Sequence, residues 1–86
     1  MKCTLVSITD KQEEPEVNGI FVQAVNGELG ILTGHAPLIA KLRDCSPARL
    51  ETAAGSKVFT LGTDSFLRFA GQEATILTSH FSVSKN

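Results

Sequence analysis

Residues 26–39 read Asn26-Gly27-Glu28-Leu29-Gly30-Ile31-Leu32-Thr33-Gly34-His35-Ala36-Pro37-Leu38-Ile39 (NGELGILTGHAPLI). They hold three of the chain's seven glycines, one of its two histidines and one of its three prolines. Glycine is entropically costly and is kept where the backbone needs a positive φ or a close approach. Such a stretch can be a phosphate loop, a turn that presents a catalytic histidine, or a shaped contact surface. The flanking residues decide among them.

On the N-terminal side, Ile20 to Val25 form a β-rich apolar run that stops at Asn26-Gly27, a strong tight-turn dipeptide. On the C-terminal side, Leu38, Ala40 and Leu42 alternate with Ile39, Lys41 and Arg43, the period of a half-buried strand. Further runs lie at Leu5–Ile8, Val58–Leu61, Ser65–Phe69 and Ala74–Thr78, with Gly62-Thr63-Asp64 and Ala70-Gly71-Gln72 as punctuation. Many short strands divided by regular turn signals predict an all-β sandwich or barrel. Lys11 to Asn18 is polar, contains Pro15, and reads as a loop or irregular edge.

Residues 46–55 admit two readings. Ser46-Pro47 followed by good helix formers and Gly55 has the signals of a short capped helix. The alternation of Ala48, Leu50 and Thr52 with Arg49 and Glu51 is that of a strand. With strands on both sides, the strand is preferred.

The chain has 86 residues and a formal net charge of −1, with 42% hydrophobic and 20% charged residues. These values describe one ordinary soluble domain with a thin core. The near-neutral balance argues against nucleic acid, which needs a concentrated basic surface. No N-terminal signal and no apolar stretch of membrane-span length is present, so a cytoplasmic protein is expected. Cys3 and Cys45 lack metal-site spacing and read as reduced, partly buried thiols.

Local chemistry removes two of the three readings. Gly27, Gly30 and Gly34 have neither dinucleotide nor Walker A spacing, and Glu28 would repel a phosphate. His35 and His80 have no closely spaced Cys or His partner for zinc, and no GxSxG elbow is present. Lys41 and Lys57 lie in or beside strand runs, which excludes a swinging-lysine carrier. His35 reads as a turn residue whose ring bonds a backbone carbonyl. What remains is a small rigid β-module that acts by contact.

Residues 27–38 closely resemble the GELGILPGHAPLL signature of the ATP synthase epsilon subunit family, in its N-terminal domain. Cys3–Thr9 and Asn18–Val25 look like that family's first two strands, and Ser65–Phe69 with Ala74–Thr78 like its late strand pair. The resemblance is strong over residues 27–42 and weaker elsewhere. It implies a flattened β-sandwich of about ten strands in two sheets over residues 1–82, with a polar tail at 83–86, and it favours the strand at 48–53.

It also implies a non-catalytic central-stalk rotor subunit without cofactor or metal. Such a subunit binds the gamma subunit and the c-ring, and couples proton flow to ATP synthesis. Its membrane association would come only through the complex, on the cytoplasmic face of a bacterial inner membrane. Glu28, Leu29 and Gly30 carry over to the ring-facing loop, and Gly34, His35, Ala36 and Pro37 to the adjoining contact loop. The alternative is a free-standing sandwich that uses the same loop for another protein.

This chain departs from the family pattern at four turns: the compressed Val25-Asn26-Gly27, Thr33 in place of proline, Asp44-Cys45, and Thr63-Asp64. The C-terminal helical hairpin of most family members is expected to be absent, and with it self-inhibition by a C-terminal extension.

Overall fold

The computed structural model of the chain describes residues 1–84. Ten strands carry the fold: β1 (Lys2–Val6), β2 (Lys11–Glu14), β3 (Gly19–Ala24), β4 (Gly27–Leu32), β5 (Leu38–Lys41), β6 (Pro47–Thr52), β7 (Gly55–Leu61), β8 (Phe66–Ala70), β9 (Glu73–Leu77) and β10 (Phe81–Val83). They form two five-stranded sheets, ordered β2-β1-β9-β8-β5 and β10-β7-β6-β3-β4. All pairings are antiparallel except β1 with β9, which run parallel.

The expected β-sandwich of about ten strands in two sheets is therefore present. Each sheet turns alternate residues inward. Leu5, Leu67, Phe69 and Ile76 from the first sheet meet Ile20, Ile31, Leu50 and Phe59 from the second, all essentially without solvent contact. At about 25 cal/mol per Å² of apolar surface removed from water, this interdigitated layer is the main stabilising term.

Residues 47–52 are strand β6, with Ala48 and Leu50 both fully buried. Positions two apart lie on opposite sides of a helix but on one face of a strand, so only the strand buries both. The proline that suggested a helix start is accommodated at the first strand residue. Pro47 pairs with Thr60 of β7, while pairing with β3 begins only at Ala48.

Two local expectations are corrected. Lys11–Glu14, read as a loop or irregular edge, is a regular strand paired with β1. Its polarity suits an edge position, where only Glu14 is buried. The hairpin expected at Asn26-Gly27 turns one residue earlier. Val25 and Asn26 form the loop, and Gly27 pairs with Ala24 at a φ of 135°.

The sandwich runs through Val83, and the Ser84 amide donates to Val58 O at 2.7 Å. The rest of the tail expected at 83–86, residues 85–86, lies outside the described residues. Cys3 is a buried free thiol and Cys45 an exposed one. No helix among the described residues is long and apolar enough to cross a membrane.

Candidate protein-docking surface

The residues singled out by sequence fall on one edge of the sandwich, in two groups. Strand β4 is one of the two edge strands of its sheet, and like any strand it alternates side chains between outer face and interior. Glu28 and Gly30 face outward, whereas Leu29 turns in and packs half-buried against the core. Leu29 thus supports this edge from within and is also among the residues that line the groove beside it.

Gly30 lies opposite Phe21 in the β3–β4 register. A Cβ at Gly30 would stand 3.1 Å from the Phe21 ring, so glycine leaves that ring uncovered. The Arg49 guanidinium stacks on the same ring at 4.6 Å and is held by Glu51 at 3.3 Å. The Gln23 amide donates to Glu28 at 3.3 Å, which orients the carboxylate. Phe21, Glu28, Gly30, Pro47, Arg49 and Val58 together line a shallow open groove.

The second group, Thr33 to Pro37, crosses from β4 to β5 and so from one sheet to the other. Gly34 has a φ of 90°, a region that side chains with a Cβ rarely adopt. The turn is closed by the His35 amide donating to Leu32 O at 3.0 Å. The His35 ring donates from Nδ1 to Ala36 O at 2.7 Å and stands edge-on to Phe69 at 6.2 Å. His35 orders the loop, as the sequence suggested, and Ala36 and Pro37 are left exposed.

No group of three or more His, Cys, Asp or Glu side chains is placed to hold a metal among the described residues. The buried polar cluster is structural. Thr78 Oγ1 accepts from Gly62 N at 2.9 Å and from Ser65 Oγ at 2.8 Å, closing the end of the sandwich.

Sequence reading missed a second exposed surface, the outer face of the first sheet. Phe66 and Leu77 are adjacent there by register and are 41% and 47% exposed; Ile39 is 74% exposed. Lys41 lies over the Phe66 ring at 4.6 Å. Ile8, in the β1–β2 loop, is 92% exposed. The signal was present: Phe66-Leu67 and Ile76-Leu77 put adjacent apolar residues on opposite faces, one more apolar position than a one-sided core needs. Phe66, Leu77 and Ile39 together leave an exposed apolar strip on the outer face of the first sheet.

The domain family described as the ATP synthase, delta/epsilon chain, beta-sandwich domain matches residues 1–83. The chain belongs to this family. It is 30% identical over 76 residues to the ATP synthase epsilon chain of Corynebacterium diphtheriae, covering 88% of this chain and 62% of that one. It is also 30% identical over 77 residues to the epsilon chain of Acinetobacter baylyi, covering 90% of this chain and 55% of that one. This delta/epsilon-type chain thus spans little more than half the length of these curated relatives.

The same sandwich occurs in the mitochondrial ATP synthase of Euglena gracilis, solved with its OSCP, F1 and c-ring. The match has a TM-score of 0.82 at 21% identity and covers 94% of this chain and 51% of that one. A chain of the Tetrahymena thermophila mitochondrial ATP synthase, from a central stalk and c-ring structure, matches with a TM-score of 0.73 at 12% identity, covering 94% and 64%. These two similarities are of fold.

Proposed function

We propose that this chain is a non-catalytic rotor component of an F-type ATP synthase, binding the gamma subunit and the c-ring in the central stalk. The observation that carries the reading is the family match over residues 1–83, joined to the exposed, rigidly turned loop that holds its most specific motif. Glu28, Gly30 and the Gly34–Pro37 loop would form the ring-proximal contact. The apolar outer face of the first sheet would take the gamma subunit.

Mechanically, the role asks for stiffness. Two sheets locked by an interdigitated core transmit torque without any titrating group, and no cofactor enters the work. The subunit would reach the membrane only through the complex, on the cytoplasmic face of a bacterial inner membrane.

The test is co-purification of the tagged chain with gamma and c-ring subunits. Retention of both is expected. Failure to retain either would overturn the reading. Capture of an unrelated protein through the same loop, without stalk subunits, would replace it with a free-standing binding module.

A further inference from the structure

Strand β2 is attached to the sandwich differently from its neighbours. It is a four-residue edge strand whose one strand partner is β1, and three of its four side chains, Lys11, Gln12 and Glu13, are not buried. Glu14 is the exception. Its side chain is 8% exposed, and Lys57 Nζ reaches across from β7 to donate to Oε1 at 2.9 Å. Gln12 donates to Oε2 at 2.8 Å. Glu14 is opposite Cys3 in the β1–β2 register, and Cys3 has no solvent contact.

We propose that β2 is a strap that opens as a unit, that the Glu14–Lys57 pair is its latch, and that its opening is the route by which the Cys3 thiol meets solvent. The chemistry of the shut state follows from the same neighbours. Burial, with the Glu14 charge beside it, pushes the Cys3 thiol up to about 12, so the thiol stays protonated and inert. Lifting β2 removes the carboxylate and the strand that covers this side of β1 together, and the thiol regains ordinary reactivity.

Local opening is favoured where few apolar contacts hold an edge, and β2 contributes no apolar side chain to the core. The latch is uneven. The Lys57 side chain is 50% exposed and can leave for water, whereas Glu14 cannot without moving the strand. Loss of Lys57 leaves a desolvated carboxylate on the single amide of Gln12, a situation strongly biased toward opening.

The experiment uses the full chain with Cys45→Ser, so that Cys3 is the one thiol. Its labelling by N-ethylmaleimide is followed by mass spectrometry, with amide exchange measured in parallel. Cys3 should be labelled through an opening that low urea barely accelerates. Lys57→Met should raise the labelling rate about tenfold or more, with the Gln12 and Glu14 amides exchanging faster and those of Leu67 and Ile76 unchanged. Adding Glu14→Gln to Lys57→Met should bring the rate back part of the way, since the stranded group is then neutral. Lys57→Gln provides a second variant with a shorter, polar side chain and should behave like Lys57→Met. The proposal is overturned if Cys3 labelling follows global unfolding, with the same urea slope in the parent and the variants. It is equally overturned if removing Lys57 leaves the rate unchanged.

Discussion

Lys57 of β7 bonds Glu14 of β2 at 2.9 Å, and among the described residues this is the ion pair that ties one sheet to the other. The remaining pairs, Lys2–Glu13, Lys11–Glu13 and Arg49–Glu51, each lie within a sheet and are well exposed. Surface pairs of that kind contribute little. The cross-sheet pair also sets a pH dependence. Burial works against ionisation of Glu14, but hydrogen bonds from Gln12 and Lys57 and the charge of Lys57 outweigh it and hold the carboxyl below its usual 4.5.

Because the folded-state value is depressed, the stabilisation is fully present above the unfolded carboxyl range and is lost as pH falls through the folded value. Urea midpoints taken from pH 6 down to pH 3 should therefore drop at the acid end. Glu14→Gln should lower the midpoint at pH 6 and flatten its acid slope. Parallel profiles for the two proteins would show that Glu14 is not the titrating group.

The strand at residues 47–52 predicts an alternating mutational pattern. Leu50→Ala empties a fully buried site and should cost about 2–5 kcal/mol in urea unfolding, whereas Arg49→Ala on the outer face should cost roughly 0.5 kcal/mol or less. Similar costs at both positions would contradict the strand register.

Gly62 is intolerant of any side chain. An added Cβ would overlap Ser79 Oγ and stand 3.0 Å from the His80 backbone nitrogen. Gly62 N also donates to Thr78 Oγ1 and His80 O, so the segment has little freedom to retreat. Gly62→Ala should destabilise by about 1–3 kcal/mol, read as a lowered thermal midpoint.

His35→Ala separates loop order from fold stability. The ring bonds Ala36 O from an exposed position, a contact worth about 1 kcal/mol or less. The thermal midpoint should move by only a few degrees, while retention of stalk subunits in the pull-down weakens. Unchanged retention would leave His35 outside the contact surface.

Much of this architecture was written in local pattern. Short apolar runs marked β3, β5, β6, β8 and β9 to within two residues and β1 and β7 to within three, and the motif at 27–38 carried the family. Lys11–Glu14 was illegible because an edge strand with one buried side chain has no apolar period to read. Its pairing comes from β1, not from its own composition. The turn at Val25-Asn26 was misplaced because dipeptide preference reports where positive φ is available, while register with β3 decides where the chain reverses. The outer apolar face was overlooked for a different reason. Phe66 and Leu77 each sit beside a core residue in sequence and become neighbours only through β8–β9 pairing.

The parallel pairing of β1 with β9 bears on how the chain is made. Lys2 faces Glu73 and Val6 faces Leu77, so the second strand partner of β1 is synthesised about seventy residues after it. At about 5–20 residues per second, β1 and β2 leave the ribosome as a hairpin with one open edge for several seconds. The first sheet cannot close until its last long strand emerges. Assembly of this sheet therefore waits for β9, and the nascent hairpin, whose inner strand carries Cys3 and Leu5 uncovered, is the species most exposed to capture by chaperones.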